Sequence, residues 1–92
     1  MARAVHVNVT GRVQGVGYRA WCARVAESLG LAGWVRNLAD GSVEAVLSGP
    51  DEAVAAQLSR MGQGPSHARV DDVCLLGEAA LQQGPFRILK DG

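Results

Sequence analysis

The chain has 92 residues, of which 48% are apolar and 20% are charged. This composition is typical of a small globular protein, and we expect one domain over residues 1–92. Nine Lys and Arg balance nine Asp and Glu, which excludes a strong global field for gathering nucleic acid or anionic membrane. No apolar run reaches the ~18 residues of a membrane span, and the N-terminus does not resemble a signal peptide. We therefore expect a cytoplasmic protein with no nucleic-acid or membrane partner.

The cysteines and histidines give no sign of a metal or redox site. Cys22 and Cys74 lie in apolar stretches, with no second cysteine or histidine at ligand spacing. This context favours two buried thiols over a disulfide or a metal site. His6 and His67 have no partner in the sequence, and we expect both at the surface. The sequence thus predicts neither a metal nor a cofactor.

The first half of the chain predicts a strand, a helix and a second strand. Residues 4–10 alternate between apolar and polar side chains, which indicates a half-buried strand. A glycine-rich stretch follows at 11–19. Apolar residues at helical spacing then predict an amphipathic helix over 19–29, with Gly30 as its C-cap. Residues 31–38 read as the second strand.

The second half begins with a hairpin. Asp40-Gly41 is a tight-turn signal, and residues 42–48 alternate as a strand that pairs back on the one before. A second helix should start with Pro50 at its first position, because two acidic residues follow in the first turn. That helix should end near Gly62 or Gly64.

Two shorter segments complete the chain. Residues 70–75 predict a less regular strand, and the apolar segment 86–89 predicts an extra edge strand. The order β-α-β-β-α-β favours a mainly antiparallel sheet with both helices on one face. With right-handed crossovers, this is a ferredoxin-like α/β (α+β) sandwich.

The glycine-rich stretch carries the clearest sign of function. Gly11, Gly15 and Gly17 allow left-handed backbone and close approach of N–H groups to a ligand. Arg19 stands at the predicted helix start, where a cation opposes the helix dipole. A bound anion, such as phosphate, resolves that conflict. The stretch lacks the Lys-Ser/Thr of a Walker A loop and the third glycine of a dinucleotide fingerprint, so nucleotide binding is unsupported.

These residues resemble a known family. The stretch 11–19 (Gly-Arg-Val-Gln-Gly-Val-Gly-Tyr-Arg) is similar to the first signature of the acylphosphatases. The stretch 33–37 (Gly-Trp-Val-Arg-Asn), with the residues that follow it up to Gly49, resembles the second. Residues 64–70 and 86–88 are similar to later strands of the family, so the resemblance spans nearly the whole chain. At Tyr18 the family more often has phenylalanine, and the tyrosine hydroxyl then needs a partner or water.

The resemblance implies hydrolysis of the carboxyl–phosphate bond of small acyl phosphates. Arg19 matches the family's phosphate-binding arginine, and Asn37 matches the asparagine that orients the attacking water. Backbone N–H groups complete the implied phosphate cradle, at Gly15, Val16, Gly17 and Tyr18. The chemistry is consistent, since a guanidinium can hold two phosphate oxygens at once and an amide oxygen can accept a hydrogen bond from water.

Other interpretations remain. The same architecture hosts RNA-binding modules, but four aromatic residues and zero net charge give that alternative little support. The stronger alternative is a non-catalytic anion- or protein-binding domain. The presence of both Arg19 and Asn37 argues against it. Gln14 is expected to scaffold the loop by reaching back to a loop carbonyl. The edge beside the last strand could pair with a second copy or be blunted by Arg87 and Lys90, and we expect a monomer.

Overall fold

The computed structural model describes residues 1–92, which form five strands and two helices. The elements in chain order are β1 (Ala2–Arg12), α1 (Tyr18–Ser28), β2 (Ala32–Asn37), β3 (Val43–Pro50), α2 (Asp51–Gln63), β4 (Arg69–Glu78) and β5 (Arg87–Ile88).

The five strands form one sheet in the order β4-β1-β3-β2-β5. All neighbours pair antiparallel except β2 and β5, which run parallel. Both helices pack on the sheet, and they also contact each other. The predicted ferredoxin-like βαββαβ fold is therefore confirmed, including the extra edge strand near the C-terminus.

The core lies between the sheet and the helices. On β1, Val5, Val7 and Val9 are fully buried, as their alternation predicts. Each such side chain contributes about 1.5–3 kcal/mol relative to an exposed one. From the helices, Cys22 of α1 and Met61 of α2 are also fully buried. The apolar stripes of the two helices and the inward valines of the strands thus account for the layered packing.

The start of α2 differs from the prediction. Pro50 is the N-cap, with φ −58° and ψ 144°, and the helix begins at Asp51. Pro50 is also the last residue of β3, where it is the register partner of Ala2. Extended backbone is available to proline but incompatible with the first helical position, so the strand sets its conformation. The acidic first turn of α2 is as predicted.

The prediction of two buried thiols is correct for Cys22 and wrong for Cys74, which is exposed. A register shift between Thr10 and Gly11 changes the alternation of β4, so that Val70 and Val73 are both partly buried against the core. Cys74, next along the strand from Val73, therefore points away from the core. Burial raises the pKa of the Cys22 thiol to about 12, although a hydrogen bond from Gln57 opposes that shift.

Candidate active site

The loop between β1 and α1 is held open by left-handed glycines. Gly15 has φ 74° and Gly17 has φ 78°, values that residues with a Cβ rarely adopt. A Cβ at either position would meet no atom within 4 Å. Glycine is therefore required by the backbone conformation and not by crowding, and the space beside the loop is free for a ligand.

The first turn of α1 lacks the usual capping groups. Gly17 is the N-cap, no side chain accepts a hydrogen bond from the turn, and no acidic residue lies within it. The N–H groups of such a turn have no intrahelical partner. They favour an anion in front of the helix, because the dipole is positive there. Arg19, in this turn, adds a guanidinium whose side chain is 36% exposed.

A cavity of about 210 Å³ lies at this junction. It brings together four of the residues that the sequence singled out, namely Gly15, Gly17, Tyr18 and Arg19. Val13 and Ala20 contribute to its wall, as does Ile88 of β5. Val16, also predicted for the cradle, does not line this cavity and instead lines a second hollow across the loop.

Tyr18 anchors the loop to the core. Its ring is 1% exposed, and its hydroxyl donates to the carbonyl oxygen of Met61 at 2.9 Å. Burial, with a smaller effect from Cys22, raises the pKa of the Tyr18 hydroxyl well above its ordinary value. The hydroxyl that distinguishes this residue from phenylalanine thus has a partner in α2.

Gln14 ties the loop to the bend between β2 and β3. Its Nε2 donates to the carbonyl oxygens of Leu38 and Ser42, both at 2.8 Å. The expectation that Gln14 reaches a carbonyl of its own loop is therefore wrong. No sequence signal near Gln14 identifies these acceptors, because they lie at least 24 residues away. The contact fixes the loop against the residue that follows Asn37.

Asn37 ends β2 beside this contact and is only 8% exposed. Its side-chain Oδ1 is buried without a hydrogen-bond partner, which is unusual for a buried polar atom. Its backbone carbonyl accepts a hydrogen bond from Gly92 N at 2.8 Å. Asp91, the residue before Gly92, contacts Arg19 at 3.3 Å between Oδ1 and Nη1. Two consecutive residues thus contact Asn37 and Arg19, which brings the two predicted catalytic residues to one region.

Side chains also fix the bend itself. Asp40 accepts hydrogen bonds from the backbone N and the Oγ of Ser42, at 2.9 and 2.5 Å. These bonds hold the pKa of the Asp40 carboxyl below its usual range. Asn8 of β1 donates to the same Ser42 Oγ at 3.0 Å. The bend is therefore restrained by hydrogen bonds within it, from Ser42 to Asp40, and by hydrogen bonds from Gln14 and from Asn8 of β1.

Three charged or titratable side chains meet on neighbouring strands. Glu44 of β3 accepts from Arg36 Nε at 2.7 Å and lies 2.6 Å from His6 Nε2. Burial raises the pKa of Glu44, but the hydrogen bonds from Arg36 and His6 outweigh it and the net pKa is lowered. The sequence shows no partner near His6, and the structure supplies one 38 residues away. Arg36 is likewise paired here.

Two further properties of the structure concern membrane spans and metal binding. Neither helix has the length and apolar composition needed to span a bilayer. No three His, Cys, Asp or Glu side chains are grouped so that they could hold a metal ion.

The fold matches solved acylphosphatases. The structure of an acylphosphatase from Coxiella burnetii superposes with a TM-score of 0.89 and 35% identity, covering 96% of this chain and 93% of that one. The acylphosphatase from Bacillus subtilis superposes with a TM-score of 0.86 and 34% identity, covering 97% and 99%.

The sequence gives the same result. The model of the acylphosphatase family matches residues 5–88. An acylphosphatase from Mesorhizobium japonicum is 58% identical over 88 residues, which are 95% of this chain and 94% of its own length. The chain belongs to the acylphosphatase family and is an enzyme of that family.

Proposed function

We propose that this protein hydrolyses the carboxyl–phosphate bond of small acyl phosphates, giving a carboxylate and inorganic phosphate without a metal ion. The observation that carries the proposal is the open glycine loop before an uncapped helix, with Arg19 in the first turn. This arrangement offers backbone donors and a planar guanidinium to one anion, which together suit a phosphoryl group.

In the proposed complex, the phosphoryl oxygens accept hydrogen bonds from the loop N–H groups of residues 15–18 and from Arg19. In this structure Arg19 is paired with Asp91, at 3.3 Å, and the Arg19 side chain is 36% exposed while that of Asp91 is 67% exposed. An exposed pair of this kind contributes at most about 1 kcal/mol. A dianionic phosphoryl group can therefore displace Asp91 from the guanidinium at little cost.

Asn37 supplies the position of the attacking water. An amide cannot remove a proton at neutral pH, but its Oδ1 can accept a hydrogen bond from water. The buried Oδ1 without a protein partner is consistent with that role. The carboxylate that leaves has a pKa of about 4, so it needs no general acid at neutral pH. We infer that the water's proton passes to a substrate oxygen.

Charge stabilisation and positioning account for the rate. Phosphoryl transfer passes through a loose transition state in which the protein does little covalent chemistry. Donors that are fixed before the reaction stabilise the developing charge without reorganising. Gln14 and the restrained bend supply such fixed geometry on the Asn37 side, since they hold the loop and the end of β2 together.

The test is release of inorganic phosphate from acetyl phosphate by chelator-treated protein. We expect turnover well above the spontaneous rate, unchanged by added magnesium or zinc. If no phosphate is released, the proposed hydrolysis is contradicted. An anion- or protein-binding domain that keeps the loop would then be favoured. Release that requires added metal would contradict the metal-free mechanism.

A further inference from the structure

A second hollow of about 620 Å³ borders the same loop. It is lined by Arg12, Gly15, Val16, Ser66 and His67, and Gly15 also lines the cavity that holds Arg19. The two spaces are therefore neighbours that share one residue of the loop. Arg12, Ser66 and His67 are all exposed, so their polar groups are accessible to a ligand in the hollow.

The sheet order places this hollow away from Asn37. In β1, Val9 pairs with Val43 of β3, which in turn pairs with Asn37 of β2. On its other edge β1 pairs with β4, where Arg12 is the register partner of Arg69. The loop after β1 thus has Asn37 towards one edge of the sheet and the hollow towards the other.

The in-line geometry of phosphoryl transfer, together with this placement, sets the orientation of the substrate. The attacking and leaving oxygens lie on opposite sides of the phosphorus. With the water beside Asn37, the leaving carboxylate points towards β4, and the acyl group extends into the hollow. The residues that line the hollow then contact the part of the substrate that varies from one acyl phosphate to another.

The paired strands on this side place two arginines next to each other. Arg12 and Arg69 stand directly opposite each other on paired strands, an arrangement in which like charges repel. Arg69 is paired with Asp71 at 3.2 Å, between Nε and Oδ1. Arg12 has no carboxylate within 4.0 Å. A cation opposite a second cation and without a counterion favours an anionic ligand.

We propose that Arg12, with Ser66 and His67, forms a subsite that selects acyl phosphates whose acyl group carries a second anionic group. This inference rests on the proposed function, since it assigns the acyl end of the same substrate. Arg12 donates to the second anion, while the Ser66 hydroxyl and the His67 ring provide further polar contacts.

The experiment compares two substrates, acetyl phosphate and succinyl phosphate, which differ by an added carboxymethyl group that carries the second negative charge. We expect Arg12→Gln to lower kcat/KM for succinyl phosphate about three- to fivefold, mostly through KM, because one exposed ionic contact is lost. For acetyl phosphate the change should stay within about twofold. Arg12→Lys should keep most of the preference for succinyl phosphate. Arg24→Gln, which removes an exposed cation from α1, is the matched control and should affect neither substrate.

The outcomes separate the two proposals. Equal changes for both substrates, or no change for either, would overturn the subsite while leaving acyl phosphate hydrolysis intact. A loss of the preference in Arg24→Gln would also overturn it, since the effect would then be one of overall charge. If the unaltered protein hydrolyses neither substrate, the proposed function fails and the subsite fails with it.

Discussion

The two sides of the glycine loop are built differently. Towards β2 and β3, side chains are paired and restrained: Gln14 bridges two carbonyls, and Arg36 and His6 each contact Glu44. Towards β4, Arg12 lacks a counterion and lines an open hollow. The closed side suits a water that must be held in one place. The open side suits the part of the substrate that differs among acyl phosphates.

The largest expected effect is at the loop common to both sides. Arg19→Lys should lower kcat/KM on acetyl phosphate about 10³-fold, because lysine keeps the charge but loses the bidentate geometry. Both kcat and the affinity for inorganic phosphate should fall. Arg24→Lys is the control, since Arg24 is an exposed arginine of the same helix. Wild-type kinetics in Arg19→Lys would contradict the role of the guanidinium.

On the closed side, Asn37→Ala should lower kcat about 10²-fold, the size of one lost contact to the transition state. Inhibition by inorganic phosphate should stay near normal, because the cradle remains. The control is Asn8→Ala, which removes a hydrogen bond to Ser42 in the same bend without removing the amide of Asn37. Similar losses in the two variants would point to damage of the bend and not to positioning of water.

A smaller effect is expected where the loop and the bend are joined. Gln14→Ala removes two hydrogen bonds and should lower the free energy of unfolding by about 1–2 kcal/mol. We also expect kcat/KM to fall about tenfold as Asn37 and the cradle lose their relative position. Urea denaturation and steady-state kinetics measure the two effects. Gln83→Ala, at an exposed position, should change neither, and a stability loss with unchanged kinetics would exclude a positioning role.

The smallest effect concerns Glu44, whose lowered pKa makes its contribution dependent on pH. A carboxylate with a lowered pKa stabilises the fold above its ordinary pKa of about 4.3, and loses that contribution as pH falls through the lowered value. Glu44→Gln should therefore lower the free energy of unfolding by about 1 kcal/mol at neutral pH, with the difference shrinking below about pH 4. Denaturation from pH 7 to about pH 3 measures this. The exposed Glu27→Gln is the control, and a difference independent of pH would contradict the paired carboxylate.

Local patterns predicted most of the fold. The alternation of valines in β1, the helical spacing in α1 and the Asp40-Gly41 turn each specify an element within a few residues. Their order then leaves few topologies. The start of α2 was predicted less accurately, because Pro50 at the end of β3 pairs with Ala2 at the start of β1. The residues around Pro50 do not reveal a pairing with so distant a part of the chain. The exposure of Cys74 depends on a register shift between β1 and β4 that the sequence of β4 alone does not contain.

By itself, the sequence determined the elements, the glycine loop and the two signatures that identify the family, because each depends on residues close together in the chain. Only the tertiary structure decided what Gln14 binds, that His6 and Arg36 share Glu44, and that Asn37 has an unpartnered buried oxygen. It alone also places Arg12 opposite Arg69, beside the open hollow. The physical reason is the same in each case: hydrogen bonds and charge repulsion act over a few ångströms in space, whatever the separation along the chain.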